Sequence, residues 1–294
     1  MVFKIIVRFF LGIFSLACSS SVFAFEIPNR SDSRVLTWQR FQAPPLTITK
    51  GEDQNNGIID SIRALITKDL TEFEHQEIDL PYKRFLLYAT EKLNVCTPYL
   101  FKTPEREKYL IFSKPVVIFP GFEIIMHKKL HEKLNHADSL SLDSLFSKHR
   151  MRLATNKVRS YSNIINPIIA KYESEKLVSR HNGSTTLIFR LLNAERADFM
   201  VDFPNRLLYW AKELQVDPYD YVSIPIKEDY ANATSYFACP KTPWGANVID
   251  RVNMSLRKHV NSPEYLTILK RWSHDYHESE IEDLHQRLLG YYED

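Results

Sequence analysis

The sequence predicts an α/β protein of two lobes, each a mostly parallel sheet flanked by helices. Two observations carry this reading. Short strand-like runs alternate with amphipathic helical runs from Val35 to Cys96, an order that places parallel strands side by side with helices on the sheet faces. The alternation then starts again after Pro120-Gly121, so the chain crosses into a second lobe and returns later.

In chain order, Val35 to Trp38 reads as a strand running into the loop Phe41-Gln42-Ala43-Pro44-Pro45. After Gly57, Ile58, Ile59, Ile62, Leu65, Ile66 and Leu70 recur at helical spacing. Ile78 and Leu80 alternate with polar residues as a strand, and Phe85, Leu86, Ala89 and Leu93 mark a second helix. Val95-Cys96 ends a buried strand, and Phe122 to Met126 makes the first crossing. In the second lobe, Met151, Leu153 and Thr155 alternate. Ile164, Ile165, Ile168 and Ile169 share a helical face, with Pro167 early enough to be tolerated or to kink it. Leu187, Ile188, Leu191 and Leu192 form a helix capped by Ser184 or Thr185. Asp198 to Asp202 is a strand with acidic ends, followed by a helix over Arg206 to Leu214. Tyr236 to Cys239 is the return strand. Val248 to Val260 and Tyr265 to Tyr276 are helices, and the tail from Glu280 reads as a helix on the surface. The expected division is residues 1–24 as a signal peptide, 25–120 with 236–294 as one lobe, and 121–235 as the other.

The signal reading rests on Lys4 and Arg8, the apolar run from Phe9 to Ala17, and the small-x-small site Val22-Phe23-Ala24. A lipoprotein signal at Cys18 is disfavoured, because Ser15 stands where a leucine is expected. Losing Lys4 and Arg8 turns 38 basic and 36 acidic side chains into a balance, so the net charge falls from +2 to zero. That balance argues against nucleic acid, which needs a basic excess, and against a polybasic membrane patch. Export to the periplasm puts Cys96 and Cys239 in an oxidising compartment. They form either a disulfide or two small buried hydrophobes. His127, His131 and His136, with His274 and His277, read as surface histidines, so no metal and no cofactor is expected.

Several segments, in order, resemble the periplasmic solute-binding proteins of family 3, the amino-acid-binding type. They are Ala43-Pro44-Pro45, Gly57 to Leu70, and Thr103-Pro104-Glu105-Arg106 followed by Phe112-Ser113-Lys114-Pro115. Asn193 to Asp202 and Ser262 to Trp272 complete the set. The resemblance implies a type II periplasmic-binding-protein fold with two hinge strands. It also implies a small carboxylate-bearing solute clamped between the lobes by a monomer. Carried over position by position, Arg106 binds the carboxylate from its Thr103 turn and Asp202 receives an amino group. Tyr99, Leu100 and Phe101 line the first-lobe wall, with Trp38 and Phe41 available to stack.

The second lobe departs from the family pattern. A Gly-Thr or Gly-Ser pair is expected after its first strand, whereas this chain has Asn156-Lys157-Val158-Arg159-Ser160-Tyr161. Arg159, Ser160 and Tyr161 resemble a divergent branch of the family and favour a ligand with a second anionic group, or a peptide-like fragment. Three functions follow from the resemblance: delivery to an ABC-type membrane importer, sensing through a partner protein, or catalysis of the cyclohexadienyl-dehydratase type. The last has no motif of its own, although Glu123, Glu195 or Asp202 could supply an acid or base. Binding without catalysis is the preferred expectation.

Overall fold

The computed structural model describes residues 33–157, 159–229 and 231–293. The signal-peptide reading of residues 1–24, including Cys18, falls outside them. The first sheet takes β1 (Val35–Arg40), β2 (Glu74–Asp79), β3 (Val95–Phe101) and β4 (Leu110–Phe119), with α1 (Ile58–Thr67) and α2 (Tyr82–Thr90) between strands. The second lobe begins with β5 (Glu123–His127), α3 (Lys128–Glu132), α4 (Leu142–Ser147), β6 (Leu153–Asn156) and α5 (Ile165–Glu173). It continues with β7 (Val178–His181), α6 (Thr185–Asn193), β8 (Phe199–Asp202), α7 (Arg206–Leu214) and β9 (Tyr221–Pro225). The chain then returns through β10 (Ala233–Pro240) to α8 (Pro243–His259), α9 (Pro263–Lys270) and α10 (Glu278–Leu289).

The strand orders are β2-β1-β3-β10-β4 and β7-β6-β8-β5-β9. In each sheet three strands pair in parallel and the crossing strands pair antiparallel. The strand leaving the first sheet, β4, lies beside the strand returning to it, β10. Their continuations β5 and β9 are neighbours in the second sheet, so the two crossings run side by side. They touch at Gly121, where a Cβ would sit 2.9 Å from the Ala231 carbonyl oxygen. That close approach is why the hinge needs glycine there.

Local chemistry sets the loops that face the cleft. Ile58, Ile59, Ile62, Leu65 and Ile66 bury one face of α1, as their spacing predicts. The buried Asp60 carboxylate accepts the backbone N–H groups of Ile48 at 2.7 Å and Gly57 at 3.3 Å, fixing the loop after β1 onto this helix. Pro167 falls in the first turn of α5, where it removes no intrahelical bond. The tail departs from its expected surface placement. Ile281, Leu284 and Leu288 of α10 are buried, and the Tyr292 hydroxyl donates to the Pro115 carbonyl at 2.5 Å. The apolar positions 281, 284 and 288 recur at helical spacing, and that stripe closes the first lobe against β4.

Cys96 and Cys239 form a disulfide joining β3 to β10 across 143 residues of sequence. Every residue of the second lobe lies inside the loop it closes. Replacing both cysteines by serine should therefore cost on the order of 2–5 kcal/mol of folding stability. Denaturant titration of oxidised wild type against the double variant measures it, and coincident midpoints would show the bond to be dispensable.

Candidate functional site

Parallel strands present their carboxyl ends along one edge of a sheet, and loops leaving those ends build ligand sites in α/β folds. In the second lobe these loops follow β6 and β8. Asp202 ends β8 and is fully buried, at 0% exposure. Its Oδ1 accepts from Arg159 Nη2 at 2.7 Å and from the Phe203 backbone N–H at 2.9 Å. Arg206 Nη1 lies 3.6 Å from the same oxygen. Burial alone would depress the Arg159 guanidinium, but the carboxylate more than offsets this and holds its pKa above the ordinary value. Phe122 and Tyr161 meet edge to face, 5.2 Å apart, and each ring centre lies 5.4 Å from the Arg159 guanidinium. Phe122 also stacks on Phe203 at 4.4 Å, and Phe203 lies 5.7 Å from the Arg206 guanidinium. The Tyr161 hydroxyl meets Thr155 Oγ1 at 2.6 Å, and its backbone N–H donates to Asn166 at 2.9 Å. Among the described residues, the polar atoms of this face that are buried without a hydrogen-bond partner include Asp202 Oδ2, Arg206 Nε and Asn156 Oδ1.

In the first lobe the corresponding loops follow β1 and β3. Tyr99 stands at the centre of an aromatic wall, with Phe41, Phe101 and Phe119 at 6.2, 5.4 and 6.1 Å. Arg106 opens a short 3-10 turn whose first N–H is held by Thr103 Oγ1 at 3.3 Å. Its guanidinium donates to the Phe101 carbonyl and packs 5.1 Å from the Tyr82 ring. Tyr99 lies within electrostatic reach of charged groups on both lobes. Burial pushes its hydroxyl up to about 12, against the opposing pull of the Arg206, Arg159 and Arg106 guanidiniums. Two of those arginines belong to the second lobe and one to the first.

The sequence-predicted residues distribute unevenly over this arrangement. Tyr99, Phe101 and Asp202 lie at the ends of β3 and β8, and Phe41, Arg106, Arg159 and Tyr161 lie in the segments that follow β1, β3 and β6. Trp38 does not: it is fully buried, donates from Nε1 to His75 at 3.1 Å and packs edge-on against Phe237. It is a core residue because its side of β1 packs against His75 of β2 and Phe237 of β10. Ser160 is exposed and accepts from Asn166, and Thr103 spends its hydroxyl on the turn. Glu195 is exposed and paired with Lys129. Arg206 escaped the sequence reading. Its one signal was the i, i+4 spacing from Asp202, which a helix start carries across Pro204.

Toward the hinge lies a second polar cluster. Glu123 is 3% exposed, His277 Nε2 is 3.5 Å from its carboxylate, and His277 Nδ1 is 3.1 Å from Glu280. His274 and His277 are thus buried, not the surface histidines expected, because the segment after α9 folds back over β5. Among the described residues, Glu123, His277 and Glu280 offer one donor atom each within 4.8 Å of one another. The imidazole between two carboxylates links the lobes on this side. Tyr219 to Asp275 at 3.0 Å, Lys212 to Asp53 at 2.6 Å, and the 5.4 Å contact of Tyr209 with Trp272 add further links.

No protein-family model matches the chain, and no curated protein matches it. Solved structures do. The probable amino-acid ABC transporter extracellular-binding protein ytmK of Bacillus subtilis superposes with a TM-score of 0.61 at 16% identity, over 82% of this chain and 98% of that one. The chain has the two-lobe fold of the extracellular solute-binding proteins. An ancestral amino-acid-binding protein described as a precursor of cyclohexadienyl dehydratase matches at 0.55 and 17% identity, over 82% and 96%. A histidine kinase sensor domain with similarity to periplasmic binding proteins matches at 0.56 and 14%, over 81% and 95%. Among the described residues no helix is long and apolar enough to cross a membrane.

The hinge cluster generates a pH dependence. Burial raises the Glu123 carboxyl to about 7, with His277 and Ser223 opposing the rise. The folded state therefore keeps a proton that the unfolded chain releases near the ordinary carboxylate range. Stability falls as pH rises through the window between the two values, on the order of 2–3 kcal/mol from pH 5 to pH 8. Glu123→Gln should flatten that slope in urea titrations at each pH, and parallel slopes for the two proteins would refute the assignment.

Proposed function

We propose that this protein is an exported, periplasmic solute-binding protein that closes two lobes around a small anionic or zwitterionic solute. The observation that carries the reading is the cationic lining of both sheets' strand ends, with Arg106 beside Tyr82 and the Phe101 carbonyl on one lobe and Arg159 and Arg206 around Asp202 on the other. A guanidinium holds a carboxylate through two parallel charge-assisted hydrogen bonds, and the aromatic walls exclude water from them. The solute bridges Arg106 on one lobe to Arg159 and Arg206 on the other, so the closed form gains contacts that the open form lacks. A micromolar affinity, about −8 kcal/mol, is within reach of one such clamp with aromatic packing.

The protein works as a monomer that delivers the solute to a membrane importer. The match to a kinase sensor domain supports a second reading, in which a partner protein senses closure. Binding is preferred to catalysis because the acid–base candidates are committed elsewhere. Asp202 is tied to Arg159, Glu195 is exposed beside Lys129, and Glu123 sits with His277 at the hinge.

A thermal-shift panel of amino acids, dicarboxylates and cell-wall fragments identifies the solute. At about 100 times its Kd the ligand adds roughly 2.7 kcal/mol of stability. In calorimetric titration Arg106→Ala should then weaken binding by ~2–5 kcal/mol, much of it from a ligand charge left unpaired. Unchanged affinity would remove Arg106 from the site, and chemical turnover of the bound solute would favour an enzyme.

A further inference from the structure

We propose that the solute is a dicarboxylate carrying a neutral hydroxyl next to Asp202, and not an α-amino acid. The inference rests on the binding reading above and concerns the charge of the same site. In an amino-acid site, a carboxylate in the position of Asp202 faces the ammonium of the ligand. Here that role is already filled from within the chain. Arg159 donates to Asp202 at 2.7 Å, and Arg206 stands 3.6 Å away as a second cation. The pair is fixed by more than charge, because the adjoining rings of Phe122 and Tyr161 pack against the Arg159 guanidinium. An ammonium brought to Asp202 would be a third cation around one carboxylate, in a place shielded from water, where like charges repel strongly.

The remaining balance points the same way. The strand ends carry three guanidiniums, Arg106 on the first lobe and Arg159 and Arg206 on the second, and the Asp202 carboxylate compensates only one of them. Two positive charges are left for the ligand, one on each lobe. A molecule with two carboxylates neutralises both, whereas a zwitterion with one net negative charge leaves an excess cation buried on closure. Asp202 Oδ2 is an acceptor with no hydrogen-bond partner, and Arg206 Nε is a donor with none. A hydroxyl donating to Oδ2 and a carboxylate accepting from Arg206 would satisfy both without adding positive charge. The cavity bordered by Thr155, Asn156, Arg159, Tyr161 and Asp202 is about 10 Å³, room for a group the size of one water.

Matched ligand pairs test this on the mature protein. L-malate against L-aspartate, and L-2-hydroxyglutarate against L-glutamate, differ only in hydroxyl against ammonium. Calorimetry should give the hydroxy acid at least tenfold tighter binding in one pair, with succinate or glutarate weaker than the hydroxy acid. Arg206→Gln, which leaves the Arg159–Asp202 pair in place, should shrink the preference to within about threefold. If an amino acid binds more tightly than its hydroxy partner and Arg106→Ala abolishes that binding, the clamp stands and the charge inference is overturned. If inorganic phosphate or a phosphate ester competes better than any dicarboxylate, the inference is likewise overturned. If none of the twenty amino acids or these acids binds, the binding reading fails with it.

Discussion

The buried ion pair between Arg159 and Asp202 is the contact on which the rest of the site depends. A carboxylate with no exposed surface at the end of a sheet strand costs several kcal/mol to desolvate unless a cation and hydrogen bonds meet it. Arg159 supplies the cation, the Phe203 backbone supplies a hydrogen bond, and two aromatic rings keep the guanidinium from swinging out. Taking away Arg159 strands a carboxylate that water does not reach, and taking away Asp202 leaves a half-buried guanidinium without its partner. The pair thereby fixes the loop after β6 against the end of β8. It also sets the sign of the cleft, because it consumes the negative charge that the second lobe would otherwise show.

The two crossings supply the hinge that the proposed clamp requires. Two antiparallel crossings run side by side and touch at Gly121 and Ala231, a geometry that bends about one axis without tearing either sheet. On one side, the contacts of Glu123 with His277 and of Lys212 with Asp53 join the lobes through groups that water and protons can loosen. On the other side stand the arginines and the aromatic walls of the strand ends. In the proposed function, like charge on the two lobes opposes closure, and a bound anion between them removes that opposition.

Much of this was legible in the chain because it is local. The helical stripe after Gly57, the turn from Thr103 to Arg106, the aromatic run at Tyr99 and Phe101, and the cysteine pair each announce themselves within a few residues. What was hidden depends on distant packing. Trp38 reads like a cleft residue from its place near a strand end, but it is buried against His75 and against Phe237, which lies far along the chain on the returning strand β10. The apolar stripe of α10 looked like a surface helix until β4 was there to cover it. His277 acquires its partners only when the segment after α9 folds over β5. Arg206 is the instructive omission: its spacing from Asp202 was visible, yet Pro204 between them masked the continuity.

Closure driven by a captured anion is the central claim, and the distance between the lobes tests it most directly. Leu87 on α2 and Ile164 ahead of α5 are exposed large hydrophobics on opposite lobes. Dyes attached through cysteines at these two positions, with the Cys96–Cys239 bond intact, report that distance by single-molecule energy transfer. The account predicts a broad or long distance in the empty protein that shortens to one narrow population with bound solute, and no shortening in Arg206→Gln. A distance unchanged by a solute that demonstrably binds would contradict it.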